Sequence, residues 1–199
     1  TPEIFGSTKK NLKESYNVYE PSTPYAASKL SAELNFKIAN SVGNLPLIIS
    51  RFTNFYGPGQ PLHRLIPKVL FSIKKGLFFP LHGGGLSKRN FIFSEDFCYG
   101  IWKMIIKGKP GNIYHFSGEK YASVKEIIKI ICDLKKKKFK KIVKVTNDRL
   151  GKDDIYRLNS SKTKKILNWK PKTSLRKGIE KTIKFYEINY KSLKKQSMN

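Results

Sequence analysis

A helical pattern followed by an apolar strand, between residues 25 and 52, constrains the fold of this chain more than any other feature. Apolar side chains recur at helical spacing from residue 25 to about 40, at Ala26, Leu30, Leu34 and Ile38. Gly43 ends this pattern, and the apolar run 45–52 then indicates a buried strand. Because the apolar segment 1–6 indicates a strand before the helix, the order is typical of a parallel sheet. The sequence therefore predicts an α/β fold.

Helices and strands alternate in the same way through the rest of the chain. The predicted helices cover residues 65–75, 94–105, 123–135, 160–167 and 174–190. The predicted strands cover residues 77–82, 90–93, 111–116 and 141–146. We expect residues 1–60 to belong to one domain and residues 61–193 mainly to a second, smaller lobe. A frayed tail is expected at 194–199.

Tyr25 and Lys29 form a candidate catalytic pair at the start of the predicted helix. Side chains four residues apart lie on the same face of a helix, one turn from each other. A nearby ammonium group favours the ionised form of a phenol, so such a pair can transfer a proton. The same spacing also arises by chance on many helices. An ordinary surface pair therefore remains the alternative interpretation.

The formal net charge of +26 raises the question of a nucleic-acid partner. Only six of the 40 basic residues are Arg, and the Lys residues are spread along nearly every predicted surface helix. Specific readers of nucleic acids favour Arg, whose fork matches guanine and phosphate, and no nucleic-acid motif accompanies the charge. We therefore expect no specific nucleic-acid partner. The densest Lys cluster, at 135–141, is interpreted as a solvated loop.

Cysteine, histidine and hydropathy patterns exclude several other classes of site. Cys98 and Cys132 lie in apolar helical stretches and are interpreted as buried thiols of a reducing compartment. His63, His82 and His115 share no metal-ligand spacing, so we expect no metal site. The sequence contains no run of about 18 apolar residues, and we expect no membrane partner. A cytoplasmic location is the resulting expectation.

Several short motifs follow one another along the chain. They are Thr1-Pro2-Glu3, Ser22-Thr23-Pro24-Tyr25, Arg51-Phe52-Thr53-Asn54 with Tyr56-Gly57-Pro58, Arg64-Leu65-Ile66-Pro67, Arg89-Asn90-Phe91-Ile92-Phe93-Ser94-Glu95-Asp96, Asp148-Arg149-Leu150-Gly151 and Leu167-Asn168-Trp169-Lys170-Pro171. Their order and spacing resemble the extended short-chain dehydrogenase/reductase family, in particular its NAD-dependent nucleotide-sugar epimerases and dehydratases. The pattern is most similar to the sugar-nucleotide 4,6-dehydratases. The resemblance implies the C-terminal part of a Rossmann-type parallel sheet plus a smaller α/β substrate-binding lobe.

The same resemblance implies NAD as the cofactor and assigns four catalytic residues. Tyr25 would accept the proton of a sugar hydroxyl as hydride leaves the carbon, and Lys29 would hold the nicotinamide ribose. Thr1 would bind the same sugar hydroxyl, although an ordinary hydroxyl at the end of a strand is the alternative. Glu3 would remove the proton next to the new 4-keto group, so that the 6-hydroxyl is expelled.

The implied substrate is a nucleotide sugar, a deoxythymidine- or other nucleoside-diphosphate hexose. Asn54 matches the position that binds the diphosphate or the sugar through its amide. Arg89 and Arg149 match basic positions that face the diphosphate, where a guanidinium fits paired phosphate oxygens. Arg64 would line the base and ribose. A surface ion pair remains the alternative for Arg89 and Arg149.

Two departures from the family pattern leave the reaction open. Pro2 stands where many 4,6-dehydratases have an Asp acid, so a 4-epimerase or a decarboxylase remains an alternative. The Gly-rich turn that holds the NAD pyrophosphate in the family has no counterpart here. We therefore expect the C-terminal portion of a longer protein, and an inactive substrate-binding fragment is a further alternative. The resemblance also implies a homodimer of the full-length form and a role in polysaccharide biosynthesis.

Overall fold

The computed structural model describes residues 1–148 and 155–196, with side chains as far as Ser192. The α-helices are α1 (Pro24–Ser41), α2 (Leu65–Lys75), α3 (Ser94–Lys107), α4 (Val124–Leu134), α5 (Phe139–Ile142), α6 (Ser161–Leu167) and α7 (Leu175–Gln196). Two 3₁₀ helices cover Pro2–Phe5 and Gly83–Gly85. The strands are β1 (Asn11–Leu12), β2 (Ile49–Phe52), β3 (Asn54–Tyr56), β4 (Phe79–His82), β5 (Lys88–Phe93), β6 (Ile113–Phe116), β7 (Tyr121–Ser123), β8 (Val143–Thr146) and β9 (Arg157–Leu158).

Parallel pairing dominates the sheets. Strand β1 pairs with β9, β2 with β6 and β4 with β8, each in parallel. Strands β3, β5 and β7 form a three-stranded sheet with β5 in the middle. Long crossover connections through helices separate the paired strands in sequence, as parallel pairing requires. The predicted α/β fold with parallel strands is confirmed.

The chain forms two compact units, each built from three segments. The first unit comprises residues 1–55, 89–121 and the described part of 151–172. The second comprises residues 56–88 and the described parts of 122–150 and 173–199. The sequence interpretation placed the middle segments mainly with the second lobe. The structure groups 89–121 with the first unit because β6 in that segment pairs with β2.

The core of the first unit lies around the β2–β6 pair. These strands run in register from Ile49 opposite Ile113 to Phe52 opposite Phe116. The buried cluster on this pair consists of Ile92, Met104, Tyr114, Phe116, Leu167 and Trp169. The indole of Trp169 meets Phe116 edge-on, with ring centroids 5.0 Å apart. Its N–H donates to the carbonyl oxygen of Asp96 at 2.9 Å, so the buried polar group has a partner.

A second core cluster in the first unit joins the first 3₁₀ helix to α1 and β1. It contains the buried residues Ile4, Phe5, Leu12 and Leu158, with Tyr16, Tyr19 and Leu30 packed against them. Phe5 stacks on Tyr19 with ring centroids 5.6 Å apart. Burial of these side chains holds the segment that contains Thr1 and Glu3 against helix α1.

The second unit packs α2, α4 and α7 with the β4–β8 pair. Its buried side chains include Ile66, Val69, Leu81, Ile127, Ile128, Ile131 and Ile183. A capping box starts α4: Ser123 Oγ accepts from the Glu126 N–H at 3.1 Å, and Glu126 Oε2 accepts from the Ser123 N–H at 2.6 Å. This reciprocal pair satisfies two N–H groups that a helix N-terminus otherwise leaves free.

The strand predicted over residues 1–6 is wrong. Pro2–Phe5 forms a 3₁₀ helix, with Thr1 as its cap. Proline suits the first position of a helix because its φ is fixed and no N–H is needed there. It also lacks the N–H that a central strand must donate.

Two smaller expectations also differ from the structure. Helix α7 continues to Gln196, so residues 194–196 are helical and not frayed. Good helix formers and the absence of Gly or Pro from 179–196 explain the extension. Cys98 is exposed whereas Cys132 is buried, because α3 directs Phe97 and Ile101 towards the core and leaves position 98 outside.

No helix in the described ranges has the length and apolar character needed to cross a membrane.

Gly100 allows α3 to approach the aromatic core of the first unit. A Cβ there would lie 2.6 Å from Phe116 Cε1 and 3.0 Å from Trp169 Nε1. We expect Gly100→Ala to lower the free energy of unfolding by about 1–2 kcal/mol, because the cost of overpacking exceeds the gain in helix propensity. Urea denaturation followed by circular dichroism measures this change. The exposed control Cys98→Ala should stay within about 0.5 kcal/mol, and equal stability of both variants would contradict the close packing.

Candidate active site

Helix α1 begins directly before Tyr25. Thr23 Oγ1 accepts a hydrogen bond from the Ala26 N–H at 3.1 Å, and Pro24 occupies the first helical position. Both features favour a helix start at this point. Tyr25 and Lys29 consequently lie in the first two turns of α1, and both side chains are exposed.

The structure brings together the two residues of the predicted catalytic pair. Lys29 Nζ lies 5.7 Å from the centroid of the Tyr25 ring. Tyr99 and Lys103 repeat this spacing on α3, with Nζ 5.3 Å from the ring centroid. A Tyr–Lys contact of this kind therefore does not identify a catalytic pair by itself. The neighbouring residues must make the distinction.

Thr1 caps the 3₁₀ helix that packs against α1, and Glu3 lies within it. Thr1 Oγ1 accepts a hydrogen bond from the Glu3 N–H at 3.3 Å, and both residues are half-buried. The hydroxyl of Thr1 is thus the cap of a short helix rather than the end of a strand. A hydroxyl and a carboxylate accompany the Tyr25 helix within the first unit.

A buried ion pair anchors α1 to strand β2. Arg51 Nε donates to Glu33 Oε2 at 2.9 Å, and Arg51 Nη2 donates to Glu33 Oε1. Arg51 is only 1% exposed and Glu33 only 7%. The paired contacts form the two-pronged arrangement that a guanidinium makes with a carboxylate. Glu33 lies one helical turn beyond Lys29, so this contact fixes the helix close to the candidate catalytic pair.

Further partners satisfy the charges of this ion pair. Lys37 Nζ lies 3.1 Å from Glu33 Oε1 and donates to Tyr19 Oη at 3.0 Å. Burial raises the pKa of Glu33, but the hydrogen bond and charge of Arg51, with help from Lys37, lower it by more. The net result is a lowered pKa, so the carboxylate stays ionised.

His115 extends the network from β2 to β6 and β1. Its Nε2 lies 3.3 Å from Arg51 Nη1, and its Nδ1 lies 3.2 Å from the carbonyl oxygen of Leu12. Burial, followed by the charge of Arg51, lowers the pKa of His115 to about 3. The imidazole is therefore neutral near pH 7. In that form Nδ1–H donates to Leu12 and Nε2 accepts from Arg51.

Asn54 and Arg89 contact the same aromatic residue. The hydroxyl of Tyr156 donates to Asn54 Oδ1 at 3.0 Å, and Arg89 Cζ lies 4.8 Å from the centroid of the Tyr156 ring. Tyr156 is buried, with 1% of its surface accessible. Two of the predicted substrate-binding residues thus contact one tyrosine, Asn54 at its hydroxyl and Arg89 over its ring.

A buried amide fixes the residues next to Asn54 and Arg89. Asn90 Oδ1 accepts from Thr53 Oγ1 at 2.8 Å and from the Gly118 N–H at 2.5 Å. Its Nδ2 donates to the carbonyl oxygens of Gly118 and Lys120 at 2.9 and 3.1 Å. Because Thr53 and Asn90 are sequence neighbours of the two candidate residues, this network holds both backbone segments in place.

Arg64 and Arg149 are the other two predicted substrate-binding residues. Arg64 is exposed and directly precedes α2 in the second unit. Arg149 lies outside the described residues. Within the described ranges, no group of three or more His, Cys, Asp or Glu side chains is placed to hold a metal ion.

Sequence interpretation did not identify Glu33, His115 or Tyr156. The pattern offered one signal for Glu33, since it follows Ala26 by seven residues and therefore falls on the buried face of the helix. Arg51 gave a similar signal as a charge inside an apolar strand. No local pattern marked His115 or Tyr156, because their partners are distant in sequence.

The comparison with protein families identifies the group to which this chain is related. The family model described as GDP-mannose 4,6 dehydratase matches residues 1–182. The chain belongs to this family of NAD-dependent epimerases and dehydratases. The family resemblance predicted from the sequence motifs is confirmed.

Similar proteins include dehydratases and epimerases. The chain is 32% identical over 199 residues to human dTDP-D-glucose 4,6-dehydratase, which covers 98% of this chain and 57% of that protein. It matches the crystal structure of DesIV, a dTDP-glucose 4,6-dehydratase from Streptomyces venezuelae with NAD bound. The TM-score is 0.91 and the identity 31%, and the match covers 96% of this chain and 59% of DesIV. UDP-glucuronic acid 4-epimerase from Bacillus cereus shares the fold, with a TM-score of 0.88 and 21% identity. That match covers 94% of this chain and 60% of the epimerase. The chain thus spans little more than half the length of these proteins.

The buried ion pair leads to a prediction for Glu33→Gln. Loss of the carboxylate leaves Arg51 buried without its counter-charge, so we expect the free energy of unfolding to fall by about 3–5 kcal/mol. Urea denaturation measures the change. The control Glu180→Gln removes an exposed ion pair on α7, in which Lys184 Nζ lies 3.2 Å from Glu180 Oε1. It should lower the free energy of unfolding by at most about 1 kcal/mol.

A double variant tests the cause of that loss. If the unpaired charge is responsible, adding Arg51→Met to Glu33→Gln should restore part of the stability. A further loss in the double variant would show that packing, and not charge pairing, dominates this contact.

The lowered pKa of His115 leads to a prediction about acid stability. The folded-state pKa of about 3 lies below the ordinary value of 6.5, so the unfolded state binds more protons between these values. Stability should therefore fall as pH drops from 6.5, by up to about 1.4 kcal/mol per pH unit. Unfolding free energies measured between pH 6.5 and 4.5 test this slope. His115→Gln should flatten the profile, and an unchanged slope in this variant would assign the effect to other groups.

Proposed function

We propose that this chain is the catalytic and substrate-binding part of an NAD-dependent nucleotide-sugar 4,6-dehydratase. The observation that carries this proposal is the placement of Tyr25 and Lys29 at the start of α1, with Thr1 and Glu3 on the 3₁₀ helix packed against it. Family membership and the similarity to two dTDP-glucose 4,6-dehydratases support the reaction class. The four side chains supply a phenol, an ammonium group, a hydroxyl and a carboxylate.

Tyr25 and Lys29 would hold the nicotinamide ribose of NAD. They fit this role because both are exposed polar groups about one helical turn apart. When bound, NAD supplies the acceptor for the hydride that leaves the sugar carbon. Tyr25 would take the proton of the 4-hydroxyl, with the Lys29 ammonium beside its ring. Thr1 orients the same hydroxyl through a hydrogen bond.

Glu3 separates dehydration from simple oxidation. Once the 4-hydroxyl has become a ketone, the proton on the neighbouring 5-carbon is acidic and a carboxylate can remove it. The 6-hydroxyl then leaves as water after it receives a proton. The resulting alkene would take back the hydride at carbon 6 and a proton at carbon 5, which gives the 4-keto-6-deoxy sugar and restores the oxidised cofactor. Pro2 has no proton to give, so Glu3 carries out both transfers in this chain.

The substrate of this reaction is a nucleoside-diphosphate hexose. Asn54 and Arg89, which both contact Tyr156, bind its diphosphate or sugar, because a guanidinium fork fits paired phosphate oxygens. By the family resemblance, Arg64 would line the base and ribose, and Arg149 would face the diphosphate. The full-length form would be a homodimer, as the family resemblance implies, and we expect it in the cytoplasm.

A nucleotide-sugar 4-epimerase is the second candidate, and Pro2 is the observation that favours it. Epimerisation requires only oxidation and the return of hydride to the opposite face, so it needs no acid beside Glu3. The likeness to the Bacillus cereus epimerase, at 21% identity, supports a shared fold. A decarboxylase and an inactive substrate-binding fragment are the remaining alternatives.

Replacement of one phenol tests the catalytic assignment. We expect Tyr25→Phe to lower kcat by at least about 10²-fold, because positioned proton transfer contributes a factor of that order. The assay uses the longest form that the gene encodes, with NAD and dTDP-glucose, and follows the 4-keto-6-deoxy product by its absorbance in alkali. Tyr99→Phe is the matched control, since Tyr99 has the same Lys contact on α3, and its kcat should not change.

Product identity distinguishes the alternatives. A product with an inverted 4-hydroxyl and an intact 6-hydroxyl would show that the reaction is epimerisation and not dehydration. Equal loss of activity in both Tyr variants would remove the special role of Tyr25. If none of the nucleotide sugars is turned over and calorimetry detects no NAD binding, the chain is the inactive substrate-binding fragment.

A further inference from the structure

Tyr156 is held in place on both sides of its own position in the chain. The carbonyl oxygen of Ile155 accepts a hydrogen bond from the Thr8 N–H at 2.8 Å. Strand β9, which begins at the residue after Tyr156, pairs with β1. The side chain of Tyr156 is 1% exposed. Because the backbone is bonded on either side and the side chain is packed, the ring and the hydroxyl have one fixed place in the first unit.

The hydroxyl of Tyr156 fixes the side-chain amide of Asn54. It donates to Asn54 Oδ1 at 3.0 Å, and Asn54 itself is exposed. The terminal torsion of an exposed Asn is otherwise broad and roughly two-fold, so its amide oxygen and nitrogen exchange places readily. A hydroxyl that donates can bond only the oxygen. The amide nitrogen of Asn54, with its two donors, is consequently directed away from Tyr156.

The ring of Tyr156 supports Arg89. Arg89 Cζ lies 4.8 Å from the ring centroid, and the side chain is half-buried. A planar guanidinium at this distance is attracted to the face of the ring. An Arg side chain has several rotatable bonds, whose freedom is lost when the guanidinium binds an anion. The contact with Tyr156 removes part of that freedom before binding, so a bound anion costs less ordering.

We infer that Tyr156 is a positioning residue for the nucleoside diphosphate of the substrate. Its hydroxyl directs the amide nitrogen of Asn54 and its ring directs the guanidinium of Arg89, so that both groups of donors are in place before the diphosphate arrives. Donors that are positioned in advance bind more tightly because less conformational freedom is lost on binding. This inference rests on the proposed function, since the roles of Asn54 and Arg89 come from there.

Binding of dTDP to the longest form that the gene encodes, with NAD present, measures this role without turnover. In calorimetric titrations, Tyr156→Phe should weaken dTDP binding about fivefold, the loss expected for one hydrogen bond. Tyr114→Phe is the matched control, because Tyr114 is also 1% exposed in the first unit and its hydroxyl accepts from the Lys109 N–H at 3.1 Å. This control should bind dTDP as the parent does. UDP is titrated in parallel, because the inference concerns the diphosphate and not the base.

A double-mutant cycle shows whether Tyr156 acts through Asn54. Asn54→Ala removes the amide, so adding Tyr156→Phe to it should cause no further loss of dTDP affinity. Losses that simply add would overturn the inference, since the hydroxyl would then affect binding by another route. Tyr156→Leu also removes the ring and should weaken dTDP more than Tyr156→Phe does, and Arg89→Met should abolish that difference. If circular dichroism shows that Tyr156→Leu is unfolded, the cycle with Tyr156→Phe decides the outcome.

Kinetics with dTDP-glucose separate this role from a catalytic one. Tyr156→Phe should raise KM about fivefold and leave kcat within about twofold, because the lost contacts bind substrate and transition state alike. Unchanged dTDP affinity in Tyr156→Phe, equal loss in Tyr114→Phe, or a fall in kcat alone would overturn the inference and leave the proposed function in place. If the parent binds neither dTDP nor UDP, the proposed function fails and the inference fails with it.

Discussion

The buried contact between Glu33 and Arg51 is the constraint on which the first unit depends. It joins helix α1 to strand β2, and His115 continues the network to β6 and to the carbonyl oxygen of Leu12 in β1. Burial of two charges costs several kcal/mol unless each finds its counter-charge and hydrogen bonds. The network is therefore satisfied in one arrangement of these elements. That arrangement positions the helix that carries Tyr25 and Lys29.

The two kinds of basic residue serve different purposes in this chain. Lysine supplies most of the +26 charge and lies mainly at the surface. Three arginines make contacts that use their planar group: Arg51 in the buried fork, Arg89 over Tyr156 and Arg157 over Tyr121. A planar guanidinium can stack on a ring and form a fork, which an ammonium group cannot. Even the dense lysine cluster after α4 is not uniform, since Lys135 and Lys137 line an apolar cavity.

The main helices and the parallel strand class could be predicted because their signals are local. The apolar spacing of α1, α2, α3 and α4 shows in any short window of the sequence. Short elements were missed: β1 and β9 have two residues each and exist only because they pair with one another. The first 3₁₀ helix was taken for a strand because apolar content, rather than periodicity, was the signal. In the site, the contact of Tyr25 with Lys29 followed from helical spacing, whereas Tyr156 next to Asn54 did not.

The sequence by itself determined the α/β class, the starting point of α1 through Thr23 and Pro24, and the family. The first two depend on residues close together in the chain, and the family shows in short motifs whose order along the chain can be read without the fold. The tertiary structure alone decided that residues 89–121 join the first unit, that Arg51 meets Glu33 and His115, and that the Tyr190 hydroxyl is buried without a partner among the described residues. These contacts join residues far apart in sequence. Their formation depends on how several helices and strands pack simultaneously, and no short window of sequence records that packing.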